Sequence, residues 1–102
     1  MLYIEKLLKH DRYVEELCER LQSDYDVVLK NVPLRSKRKR LVAEVDILAI
    51  KENQCDIYEV KCSYRITKAK HQLRKLRKLL AREYSVRNTF FFCGESGNLV
   101  VL

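Results

Sequence analysis

The hydrophobic pattern of this sequence predicts an α/β fold, a mixed central sheet flanked by two helices in the order α-β-β-β-α-β-β. Three observations carry that prediction. Two stretches, residues 3–22 and 66–84, repeat apolar residues at the helical period. Five shorter runs are rich in branched and aromatic residues of the kind that fill strands. The chain has 102 residues with only two glycines and one proline, so residues 1–102 read as a single domain with little room for linkers.

From Tyr3 to Gln22, the residues Ile4, Leu7, Leu8, Val14, Cys18 and Leu21 fall on one helical face. Asp11 and Glu15 project into or beside that stripe, while Glu5 and Glu16 point away. "YDVVLKNV" reads as a strand ended by Pro33, and "LRSKRKR", residues 34–40, as a polar basic connection. "LVAEVDILAI" and "QCDIYEVKC" are strands separated by "KEN". The helical period returns from Ile66 to Tyr84 with Ile66, Ala69, Leu73, Leu76, Leu80 and Tyr84 in one stripe. "VRNTFFFC" is a further strand, "GESGN" a turn by its Gly and Asn content, and "LVVL" a short last strand.

Charges inside the second and third strands stand out. Alternation gives the second strand an apolar face of Ala43, Val45, Ile47 and Ala49, and an opposite face holding Val42, Glu44, Asp46, Leu48 and Ile50. In the third strand Cys55, Ile57, Glu59 and Lys61 share one side, and Asp56, Tyr58 and Val60 the other. A hairpin loop of Glu52-Asn53, or of the four residues Lys51 to Gln54, sets a single register. In that register Asp46 faces Glu59 and Glu44 faces Lys61. Directly opposed residues have Cβ atoms ~4.5–5.5 Å apart. Glu44 beside Lys61 is an ordinary cross-strand ion pair. Two carboxylates that close repel, and a divalent cation would offset the repulsion.

With Asp46 on one strand and "Glu59-Val60-Lys61" on the next, between two amphipathic helices, the chain resembles the PD-(D/E)xK nuclease superfamily. The form "EVDILA…YEVKC" is similar to archaeal Holliday-junction resolvases and to small Mrr-like and RecB-like nucleases. The resemblance implies a restriction-endonuclease-like core and a Mg²⁺-dependent endonuclease acting on DNA, with Mn²⁺ able to substitute. It makes Asp46 and Glu59 the metal ligands and Lys61 the residue that positions water or meets developing negative charge. Family members often add a glutamate from the first helix. Glu15 matches by residue type, and Asp11 stands more centrally on the stripe. Val45 occupies the place of the family's proline. Gln72 resembles the helix glutamine of RecB-like members, but Leu76 stands where those carry tyrosine. Glu44, Asp11 and Gln72 would support the site from behind the direct ligands.

The residue types suit that chemistry. Mg²⁺ binds through one or two carboxylates and keeps several waters, so two acids make a minimal site. A cation at the phosphate polarises it and acidifies bound water, and an ammonium beside it stabilises developing charge.

Net charge agrees with an anionic partner: the formal charge is +7 and the sequence pI about 9.4. Arg35, Lys37, Arg38, Lys39 and Arg40 cluster in the connection. Lys68, Lys70, Arg74, Lys75, Arg77, Lys78 and Arg82 cover the polar face of the second helix. Such residues hold a phosphate backbone without reading sequence. Hydrophobic residues at 47% exclude a disordered chain. Cys18, Cys55, Cys62 and Cys93 form no CxxC pair, and His10 and His71 lie near none of them, so the thiols read as buried apolar groups in a reducing compartment. The N-terminus is too charged for a signal peptide and no apolar run approaches a membrane span, so a soluble cytoplasmic protein is expected. The expected partner is DNA, with RNA as the alternative nucleic acid and no membrane. Small size and family habit suggest a homodimer joined through "TFFFC" or "LVVL". The rival readings are a non-catalytic nucleic-acid-binding module of the same fold and an RNA-processing nuclease.

Overall fold

A computed structural model describes residues 3–102. Its elements run α1 (Tyr3–Leu21), β1 (Val27–Arg35), β2 (Leu41–Lys51), β3 (Gln54–Lys61), α2 (Ile66–Leu80), β4 (Ser85–Cys93) and β5 (Asn98–Val101). The five strands form one mixed sheet in the order β1-β2-β3-β4-β5. β1, β2 and β3 make an antiparallel meander, α2 carries the chain across so that β4 lies parallel to β3, and β5 folds back antiparallel on β4. Parallel neighbours need such a crossover, and a helix with one apolar stripe supplies it.

The two helices cover opposite faces of the sheet. Val14, Leu17, Cys18 and Leu21 of α1 pack on Ile47, Ala49, Tyr58, Val60 and Phe92. Leu73, Leu76 and Leu80 of α2 pack on Val45, Leu48, Cys55 and Ile57, and Ala69 packs with Phe91 and Cys93. Fully burying an aliphatic side chain contributes roughly 1.5–3 kcal/mol, so these layers are what holds the sheet between its helices. Three of the cysteines are buried and Cys62 is half-buried, all four as free thiols. No helix among the described residues is long and apolar enough to cross a membrane.

Several expectations need correction. Pro33 does not end β1, which continues to Arg35 with Pro33 opposite Glu44. β1 is an edge strand, where a missing N–H breaks no interior ladder. α2 stops at Leu80, and Tyr84 is exposed rather than part of its buried stripe. Ile4, Leu7 and Leu8 are exposed as well, because the first turns of α1 project beyond the sheet. In "TFFFC", Phe91 and Phe92 are buried in β4 between β3 and β5, and Phe90 is half-buried.

The alternation expected along β2 also breaks. Ile47 and Ala49 face α1 as a regular strand requires, but Val45 packs on the α2 side. β1 changes in step, with Val28 toward α1 and Val32 and Leu34 toward α2. The ladder runs from Lys30↔Ile47 directly to Val32↔Val45. Between those rungs lie Asn31, whose φ is +53°, and Asp46. A left-handed residue within a strand turns the side chains that follow it onto the other face, and Asn is among the residues that tolerate that conformation best.

Candidate active site

Asp46 sits where the faces exchange, and β2 and β3 part at the same point. Their register runs from Lys51↔Gln54 to Ile47↔Tyr58, as a two-residue loop at Glu52-Asn53 requires, and regular pairing ends there. Asp46 fills the opening. Its Oδ2 accepts the Val60 backbone N–H at 2.9 Å, and the Val60 carbonyl accepts from His10 Nε2 at 3.0 Å. Both backbone groups of Val60 are therefore satisfied by side chains instead of by a neighbouring strand, which is how a buried fork avoids orphaned polar groups.

Glu59 flanks Asp46 on β3 and is buried to 4% exposure. Burial pushes its carboxyl up to about 8, the neighbouring charge of Asp46 adds to the rise, and Lys61 opposes it. Lys61 Nζ lies 3.4 Å from Glu59 Oε1. The structure thus brings Asp46, Glu59 and Lys61 together at one end of the β2–β3 pair. The ammonium's partner is Glu59 on its own strand and not Glu44 across the ladder, because pairing ends before Glu44 would face Lys61. Glu44 is exposed and borders a cavity of about 130 Å³ together with Glu59, Gln72 and Lys75. The Gln72 Oε1 is buried without a hydrogen-bond partner. Lys75 donates to the Val42 carbonyl at 3.0 Å and closes that side.

The helix acids land elsewhere. Glu15 is ion-paired with Lys30 of β1 and half-exposed, apart from the Asp46–Glu59 pair. Asp11 is exposed, with its carboxylate 3.9 Å from His10 Nδ1. The α1 residue that reaches the fork is His10, whose Nε2 is 3.5 Å from Asp46 Oδ2. The hydrogen bond with Asp46 holds the imidazole above its ordinary value against the opposing effect of burial. His10 is not among the residues that the strand pattern singles out, yet a signal exists: His10, Val14, Leu17 and Leu21 share one helical face at spacings of four, three and four.

Asp56 is a second acid to which the sequence pattern assigns no role. It is 1% exposed, and Arg87 holds it with two bonds of 3.1 and 2.7 Å. The Tyr25 hydroxyl and the Asn88 N–H also donate to it. Burial raises this carboxyl, but the Arg87, Tyr25 and Asn88 bonds outweigh it and bring it below the usual range. Every lone pair is occupied, and Tyr58, bonded to Tyr25, stacks on Phe90. Asp56 is a structural lock that ties β3 to β4.

The predicted basic residues divide. Lys37, Arg38, Lys39 and Arg40 are exposed in the β1–β2 turn, which its own bonds hold: Arg35 to the Lys39 carbonyl, and Ser36 N–H to the Arg40 carbonyl. Lys68, Lys70 and Arg74 are exposed on α2, and Lys70 and Arg74 border a pocket with Thr89 and Leu102, over β4 rather than over the fork.

Among the described residues, no group of three or more His, Cys, Asp or Glu side chains is placed to hold a metal ion. The donor chemistry of Asp46 and Glu59 nonetheless fits Mg²⁺, which accepts one or two carboxylates and fills its remaining positions with water. Both are hard oxygen donors, and Glu59 is raised first by burial and then by the neighbouring charge of Asp46. In comparison with known proteins, the chain matches no family model and no curated protein.

Proposed function

We propose that this chain is a Mg²⁺-dependent endonuclease of the PD-(D/E)xK type that hydrolyses DNA phosphodiester bonds. The observation that carries the reading is the meeting of Asp46, Glu59 and Lys61 at the parted end of β2 and β3, with two buried carboxylates served by one ammonium. Asp46 and Glu59 would hold the cation, and Mn²⁺ would serve in its place. When bound, the ion supplies acidified water and a polarised phosphate. Asp46 keeps its orientation through the Val60 N–H, and His10 steadies it from α1. Lys61 meets negative charge developing on the phosphoryl oxygens as the bond to the water oxygen forms and the bond to the leaving oxygen breaks. A homodimer is part of the proposal. The β5 edge, with Leu99 and Val101 exposed, supports it as the dimer surface; a chain sedimenting as a monomer would remove it.

One observation favours a second reading, a nucleic-acid-binding module that retains the frame without catalysis. The helix acid expected from α1 is engaged by Lys30, which leaves the site with two carboxylates. Incubating the protein with linear duplex, flap, single-strand and four-way-junction DNA, and with RNA counterparts, with and without Mg²⁺, separates the readings. Metal-dependent strand scission supports the nuclease and names its nucleic acid. Binding without scission on every substrate transfers the fold to the module.

A further inference from the structure

Beside the fork, the first turns of α1 stand opposite the β3–α2 connection, with a groove of about 390 Å³ between them. Lys6 and Lys9 line it from α1, Lys61 and Arg65 from the other wall, and Glu95 is the one acid among the lining residues. Among the described residues, Lys6, Lys9 and Arg65 have no carboxylate within ion-pairing distance, so their charge is not spent inside the fold. Ser63 adds a hydroxyl to the same wall as Arg65.

Backbone bonds fix the wall that carries Lys61 and Arg65. The Lys61 carbonyl accepts the Gly94 N–H at 2.8 Å, the Cys62 carbonyl the Glu95 N–H at 2.9 Å, and the Ser63 carbonyl the Arg65 N–H at 2.9 Å. Arg65 stands at the start of α2, where no side chain caps the helix and no acid lies in the first turn. That end of a helix adds to the attraction for an anion. Arg65 also borders a second hollow, together with Lys68 and His71. Cations therefore follow one another from Lys6 and Lys9, past Lys61 and Arg65, to Lys68. Lys70 and Arg74, farther along α2, stand apart from this run and border the pocket over β4.

Cations that face one another across a groove repel, and an anion between them offsets the repulsion. Lys61 decides which anion. It lies 3.4 Å from Glu59 at the fork and also lines the groove, so a ligand seated there continues into the candidate active site. A nucleic-acid strand can bring one phosphate to the fork and its neighbours to the groove. An acidic peptide fills the groove equally with charge but brings no phosphate to the fork. Contacts of this kind hold the backbone and are indifferent to base.

We infer that this groove seats the backbone phosphates that flank the bond held at Asp46 and Glu59, with Lys6, Lys9 and Arg65 as their partners. That position rests on the proposed nuclease, but the binding itself is measured without cleavage. Fluorescence polarisation in EDTA follows a labelled DNA duplex across a salt series. Lys6→Gln, Lys9→Gln and Arg65→Gln combined keep the side-chain stems and should lower the salt slope by about two to three units. Lys70→Gln, Arg74→Gln and Lys78→Gln combined remove the same charge from α2 and should lower it by less than about one unit. Lys6→Gln and Arg65→Gln alone, both at exposed positions, should each lower it by up to about one unit. Duplexes ending in a phosphate or in a hydroxyl should bind the wild type alike, because the groove takes the backbone and not the end. Where the chain cuts, the groove triple variant should raise KM and leave kcat near wild type.

A wild-type slope in the groove triple variant and in both single variants would overturn the inference, as would equal losses from the two triple variants. A preference for phosphate ends that the groove variants abolish would reassign the groove to a terminal phosphate. Poly-glutamate competing as well as DNA would remove its link to phosphate. The two proposals fail separately. A chain that cuts nothing but shows these slope shifts loses the nuclease and keeps a phosphate-binding groove. A chain that cuts while the groove variants bind as wild type loses the groove and keeps the nuclease.

Discussion

Glu59 carries the main electrostatic conflict of the molecule. Its carboxyl stands near 8 in the folded chain against an ordinary 4.5, so the native state holds this proton more tightly than the unfolded chain does. Its contribution to stability is therefore complete at low pH, falls as pH rises from about 4.5, and levels off above about 8. His10, also raised, adds a loss in the same direction above 6.5. Urea unfolding of the metal-free protein across this range should show the decline, and Glu59→Gln should remove the part that begins below pH 6.5. An identical decline in Glu59→Gln would assign the proton elsewhere. The identities of Asp46, Glu59 and Lys61 were legible in the sequence because acids and a lysine inside apolar strand runs demand a partner. His10 was not, since a lone histidine on a helix shows its use only when the strand beneath it opens.

At the scale of elements, the fork depends on a paired change of face in β1 and β2. Strict alternation puts Val45 and Ile47 on one side, and it fails here because alternation assumes extended φ at every residue. Asn31 at +53° is the exception, and an Asn amid "VVLKNVPL" was the available hint. Asn31→Val should destabilise the fold by about 1–2 kcal/mol, the penalty for a side chain in the left-handed region, measured by chemical denaturation. Asn31→Gly should keep the fork; equal losses from both variants would mean the side chain matters and not the backbone. The register of the β2–β3 hairpin was legible from loop length alone, and it held as far as Ile47↔Tyr58. What followed was hidden, because it is set by Asp46 taking the Val60 N–H in place of a strand partner. The β1–β2 turn belongs to this scale as well. Its exposed Lys37, Arg38 and Arg40 should set affinity for duplex DNA without setting preference. Replacing all three with Ala should reduce the salt slope by about one unit for each phosphate that no longer meets a cation, and leave the ranking of substrates unchanged. A changed ranking would mean that the turn reads bases.

For the whole molecule, the order of elements and the α/β class followed from periodicity, since helices with one apolar stripe and strands between them admit few arrangements. Less legible was how far α1 reaches past the sheet. Ile4, Leu7 and Leu8 continue the stripe in sequence, but they stand outside the packed layers, so the apolar repeat runs on into solvent. Net charge of +7 gives the surface an attraction for polyanions that no single cluster explains. The central claim is that Asp46, Glu59 and Lys61 perform metal-dependent phosphodiester hydrolysis. The direct test is single-turnover cleavage of the best substrate by wild type, Asp46→Ala, Glu59→Ala and Lys61→Ala, with Mg²⁺ or EDTA, alongside binding of the same substrate. Scission by wild type only with Mg²⁺, abolished in all three variants while they still bind, is the result this account predicts. Wild-type rates in any two of the variants, or scission unchanged by EDTA, would contradict it.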